Sequence, residues 1–310
     1  KTESDYMNNS FRICATGLTA CLLLSLITLA CTGDTIPYHE ASLLTQDNLT
    51  WQDYGPDIGF TNIIPLLNEA PGIQTLSNNL SIALFKLKPG AVLSPEEVLP
   101  VPEVIYITQG TARITAGEEE VTTDAEKAVY IPSNVTRIIE NPGDITLRYF
   151  SCTDWTSARD GGAANTSATD KTLQVPKEEK IHVISEKNIT PAIYGNNSIG
   201  EEYSFYRLVH PAEGPYPVSY DLGTVHIPVG TIIPDHYVEG SSQLMTILQG
   251  KGNISVGCSA YPVESGDMFY VAPGAVMNIS VGENLHFMMV TSPYYKPENE
   301  HLMMDVCDYV

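Results

Sequence analysis

Two similar β-barrels in tandem, an all-β architecture, are what the 310-residue sequence predicts. Three observations carry this expectation. The chain repeats itself at an offset of 140 residues: Ile107-Thr108-Gln109-Gly110 aligns with Ile247-Leu248-Gln249-Gly250, and Val129-Tyr130-Ile131-Pro132 with Phe269-Tyr270-Val271-Ala272. Within each copy apolar and polar residues alternate in short runs punctuated by 23 Gly and 21 Pro, the signature of antiparallel strands with one buried face. Long helical periodicity is missing, so each copy reads as one small barrel or double-sheet sandwich.

Taken in chain order, residues 1–33 read as a signal or lipoprotein-type segment. Phe11-Arg12 leads into an apolar run from Ile13 to Ala30, and small residues precede Cys31, which resembles the acylated cysteine of a lipobox. The expectation is export, with a membrane anchored through lipid on Cys31 or through an uncleaved helix. Residues 34–154 form the expected first barrel, 155–180 a linker poor in large apolar groups, and 181–310 the second barrel with its tail. Asn-x-Ser/Thr triplets at Asn8, Asn48, Asn79, Asn134, Asn165, Asn188, Asn196, Asn253 and Asn278 agree with an extracellular, glycosylated surface. Cys152, Cys258 and Cys307 remain for the folded part, enough for one disulfide and an odd thiol, with no zinc-like spacing. Sixteen Lys+Arg against 37 Asp+Glu leave a net charge of −21, which excludes a nucleic-acid partner because phosphate binding needs a clustered basic surface.

The spacing of each copy resembles the cupin superfamily, in its two-barrel or bicupin form, and implies two cupin (double-stranded β-helix, jelly-roll) barrels. The first cupin motif, Gly-x5-His-x-His-x3-4-Glu-x6-Gly, is framed by Gly230, His236, Val238, Gln243 and Gly250 in the second copy. In the first copy it is framed by Gly90, Glu96, Val98, Glu103 and Gly110. The second motif, Gly-x5-Pro-x-Gly-x2-His-x3-Asn, reads Gly266, Ala272, Gly274, Met277 and Val281, against Glu126, Pro132, Asn134, Arg137 and Asn141. The family's three His and one Glu are dismantled in both copies. In the second, His236 and Gln243 alone are metal-competent, and Val238 and Met277 replace ligands. In the first, Glu96, Glu103 and Arg137 fall where ligands would converge, and the residues predict an Arg137–Glu103 ion pair in place of a cation.

These departures imply pockets of His236, Val238, Gln243 and Met277, and of Glu96, Glu103 and Arg137, with no cofactor. The expected function is a non-catalytic scaffold or a small-molecule or sugar binder, like the seed storage globulins that keep cupin pairs for packing, with homo-oligomers formed through outer sheet faces. The alternative is a metal-dependent enzyme, aminohydrolase- or isomerase-like, with a divalent transition metal in the second barrel. Its layout is distantly similar to ureidoglycine aminohydrolase, whose ligand set the sequence does not reproduce. Tyr106, Tyr130 and Tyr270 are weighed as pocket walls against core. By strand alternation His226 and His286 lie off the apolar face and are expected at the surface.

Overall fold

A computed structural model describes residues 41–55, 57–63, 80–95, 98–155, 180–195 and 202–303, which fall within one compact unit, Pro37–Val310. The leader with Asn8 and Cys31, most of the linker, Asn79, Glu96, Asn165, Asn196 and Cys307 lie outside the described residues. Among the described residues no helix is long and apolar enough to cross a membrane.

The chain folds as two all-β barrels, and every strand pairing is antiparallel. In the first, a seven-stranded sheet centred on Glu103–Gln109, Leu147–Asp154 and Leu80–Leu87 faces a four-stranded sheet built on Arg137–Glu140 and Thr111–Ala116. The alternation read from the sequence is realised: in Thr111–Ala116 every second residue is buried. In the second barrel two long strands, Ser242–Val256 and Met277–Ser292, each do the work of two strands in the first. Gly250 lets the first of these bend while still pairing with its neighbour, whose register shifts on either side of Lys251. In the first barrel the counterpart of the second long strand is interrupted by a turn held by Asn141, whose side-chain amide donates to the carbonyls of Leu87 and Ile145 while its oxygen accepts from Gly143 N–H. Asn134, standing where the motif has glycine, adopts φ 61°, the left-handed conformation that Asn tolerates better than most residues.

The sheets do not stop at the boundaries between the repeats. Ala41–Leu44 pairs with Met268–Val271 of the second barrel, and His182–Ser185 pairs with Lys127–Ile131 of the first, so each barrel takes an edge strand from the other half of the chain. Both pairings cross the limits between the two repeats. This exchange covers two sheet edges that would otherwise present unpaired backbone groups. The principal apolar core is likewise shared: Ile82, Tyr106, Tyr130, Phe150 and Cys152 pack in one cluster with Leu244, Phe269 and Phe287, whereas a second cluster around Ile105, Ile114, Val129 and Tyr149 fills the first barrel. Polar stitches join the halves, with Ser219 N–H donating to Asp154 Oδ2 at 2.7 Å and Tyr220 O–H to the Cys152 carbonyl at 3.3 Å.

Candidate functional site

In the second barrel the four positions where a cupin keeps its ligands line one cavity of about 70 Å³. His236 and Val238 lie on Ile232–Val238, where a register shift between Ile233 and His236 re-aims the strand. Gln243 opens Ser242–Val256, and Met277 opens Met277–Ser292 directly opposite His236. His236 Nδ1 lies 2.9 Å from the Pro234 carbonyl, which can only accept, so Nδ1 carries the proton and Nε2 is the ring's acceptor. The Gln243 amide donates to the Met289 sulfur at 3.6 Å. Val225, Ile233, Met245, Ile279 and Phe287 supply apolar wall.

Tyrosines and a carboxylate complete the lining. Tyr194 and Tyr203 stack at 5.4 Å, and Tyr295 O–H donates to Glu300. Burial raises the pKa of all three phenols, so they stay protonated and serve as donors. Glu300 is delivered by the short strand Glu300–Leu302, which pairs with His236, Tyr237 and Val238. Behind it, buried Asp221 accepts from Tyr295 N–H at 2.9 Å, and its burial pushes its carboxyl up to about 7.

This lining does not suit the hard or borderline divalent ion of metal-dependent cupins. Among the described residues no three His, Cys, Asp or Glu side chains converge in the cavity, and the remaining donors are an amide and thioethers.

The first barrel holds an ion pair at the equivalent place. Arg137 Nε and Glu103 Oε2 are 2.7 Å apart, with side chains only 13% and 6% exposed, as the motif positions predicted. Ser151 O–H also donates to Glu103. The guanidinium supplies positive charge to a buried carboxylate that would be costly alone.

The weighed tyrosines are core: Tyr106, Tyr130 and Tyr270 are fully buried in the shared cluster and none borders the cavity. Cys152 and Cys258 are free thiols, the first buried and the second exposed, so no disulfide joins them. Asn48, Asn134, Asn188 and Asn253 are exposed, whereas Asn278 is half-buried and its amide nitrogen, the atom a glycan would occupy, donates to Asp235 at 2.7 Å.

The expectation for the two strand histidines needs correction. Their side chains do lie on the outer face of the second barrel, but His286 is only 7% exposed. His226 and His286 are cross-strand partners, their rings stacked at 3.9 Å, and Glu186 covers them: its carboxylate lies 2.9 Å from His226 Nε2 and 3.6 Å from His286 Nε2. Thr224 O–H donates to the same carboxylate. Strand parity put both rings on one face; nothing in the sequence announced that Glu186, forty positions upstream of His226, would fold over them.

Residues 83–153 match the Cupin domain family. No curated protein matches the chain. Among solved structures the fold is similar to that of a glyoxylate-induced protein of Pseudomonas aeruginosa, at 14% identity and TM-score 0.63 over 89% of this chain and 96% of that one. It is also similar to the oxalate decarboxylase of Lactobacillus farciminis, at 14% identity and TM-score 0.59 over 84% and 88%. A third likeness is to the 7S globulin of Momordica charantia, at 16% identity and TM-score 0.60 over 86% and 89%. At these identities the likeness is one of fold, and it extends along both barrels.

Proposed function

Taking the chain as a bicupin of the cupin superfamily, whose first barrel carries the Cupin domain match, we propose that it is an exported, surface-anchored, non-catalytic protein that binds a small molecule in its second barrel. The observation that carries this reading is the cavity at the position of the cupin ligands, lined mainly by apolar side chains and edged by a few convergent polar groups. A volume of about 70 Å³ accommodates roughly five waters, so the part of a ligand seated there has only a few heavy atoms. Its body is apolar, and one end hydrogen-bonds with His236 Nε2, the Gln243 amide or a tyrosine hydroxyl. Such a lining favours a short-chain acid, alcohol or amide over a sugar, whose many hydroxyls would lose water without partners. The first barrel, plugged by Arg137 and Glu103, contributes packing and assembly. The leader, Cys31 and the sequons support placement outside the cell and attachment to its membrane, and homo-oligomers through the outer sheet faces belong to the same proposal.

Thermal shift of the purified protein against a panel of small carboxylic acids, alcohols and amides tests the binding. At least one compound should raise the melting temperature saturably in the wild type and leave a cavity-filling Val238→Phe variant unmoved. Equal shifts in both proteins, or none in the wild type, would refute a ligand in this cavity.

A second reading rests on the three thioethers of Met245, Met277 and Met289, which share the cavity with His236. Soft sulfur ligands select copper(I) among biological cations. Titration with copper under reducing conditions separates the two: tight uptake abolished by Met277→Leu favours the ion, and its absence favours the organic ligand.

A further inference from the structure

Outside the cavity, the described residues hold one cluster in which metal-ligating atoms converge: Glu186, His226 and His286, all within 4.8 Å of one another. It lies on the opposite face of the sheet from the cavity wall, because His226 alternates with the cavity residue Val225 and His286 with Phe287. It is therefore a different place from the barrel interior where a cupin keeps its ion.

Each ligand is held by a different constraint. His226 and His286 are directly opposed on Asp221–Ile227 and Met277–Ser292, a pairing that brings their side chains within bridging reach. Glu186 begins a 3-10 turn, Glu186–Asn188, whose N-cap Ser185 accepts from Lys187 N–H. Ser185 itself pairs with Lys127 of the first barrel, so the carboxylate arrives from the strand that crosses between the barrels.

The spacing suits a tetrahedral ion. With ligand bonds of about 2.0–2.1 Å, donors stand about 3.3 Å apart; Glu186 Oε2 lies 2.9 Å from His226 Nε2 and Oε1 3.6 Å from His286 Nε2, so the carboxylate reaches each ring with a different oxygen at close to that separation. The near-parallel rings, 17° apart, must turn about their soft χ2 torsions to aim both Nε2 atoms at one point. A second observation points to a missing partner. His286 Nε2 is buried without a hydrogen bond, 3.6 Å from Glu186 being too long for one. An adjoining groove, lined by His226 and His286 together with Glu126, Glu202 and Gln249, brings two further carboxylates to the side of the cluster.

We propose that Glu186, His226 and His286 bind a divalent transition ion of the zinc or cobalt class on the outer face of the second barrel, tying the crossing strand of the first barrel to the sheet of the second. Two imidazoles and a carboxylate are the donor set such ions prefer. The site is independent of the proposed cavity ligand.

Cobalt(II) titration of the chelator-treated full chain tests it, since tetrahedral cobalt with nitrogen and oxygen ligands absorbs visibly. The wild type should take up one equivalent with a visible band. His226→Ala and Glu186→Gln should each weaken uptake by at least about 100-fold, a ligand counting for no less than an outer-shell partner. His236→Ala should leave it unchanged. His226 is the histidine to replace because it is 40% exposed and its loss opens little core, and a circular dichroism melt checks that each variant folds. No band in the wild type, an unchanged band in folded His226→Ala, or loss of the band in His236→Ala would each overturn the proposal.

Discussion

Arg137 and Glu103 show how a single pair can replace a cation. Removing the guanidinium in Arg137→Met strands a buried carboxylate, and urea unfolding should record a loss of about 3–5 kcal/mol. Adding Glu103→Gln to that variant should recover much of the loss, because the remaining side chain is neutral and can still bond Ser151. A double variant no more stable than the single one would mean that the pair is not what holds the barrel centre. Asp221 makes the opposite kind of statement. Its carboxyl is pushed from 3.8 up to about 7 by burial, so the native state keeps a proton that the unfolded chain releases. Stability is therefore fullest below about pH 4 as far as this group is concerned, and falls as pH rises toward 7, by a span of the order of 4 kcal/mol. Asp221→Asn should flatten that slope in denaturation curves taken across the range; an unchanged slope would place the titration elsewhere. The ion pair was legible in the sequence because the motif register alone puts both residues at the barrel centre. The burial of His286 was not, because the residue covering it belongs to no repeat.

Strands test the chain through their glycines. A methyl group on Gly250, at φ 91°, would meet the Asn284 carbonyl oxygen at 2.0 Å, a contact with backbone that has no side chain to swing aside. At Gly230, φ 84°, nothing lies within 4 Å of the same methyl. Gly230→Ala should thus cost only the left-handed conformation, about 1–2 kcal/mol. Gly250→Ala should cost at least about 3 kcal/mol, since strand separation is added to that strain. Chemical denaturation midpoints check the order; equal losses would show that the close approach at Asn284 relaxes freely. Both glycines bracket the cupin motif, so their positions were readable, and so were the strands between them, from period-two alternation. The exchanged strands were not. Ala-Ser-Leu-Leu at 41–44 and His-Val-Ile-Ser at 182–185 are each too short to specify a partner more than fifty residues away, and only the assembled sheets leave edges for them.

For the molecule as a whole, duplication supplied two containers and their shared core joined them. Gross architecture was visible because a repeat in constant register needs no knowledge of contacts. The chemistry was only half visible: motif positions located the cavity but not Tyr194, Tyr203, Tyr295 and Glu300, which reach it from segments outside the repeat. The reciprocal edge strands also set a timetable. Segment 41–44 leaves the ribosome more than two hundred residues ahead of its partner at 268–271, an interval of about 10–45 s at ordinary elongation rates. During that wait a largely apolar tetrapeptide has no native place to go, and the first half of the chain must keep that edge strand unpaired until the second barrel has been made.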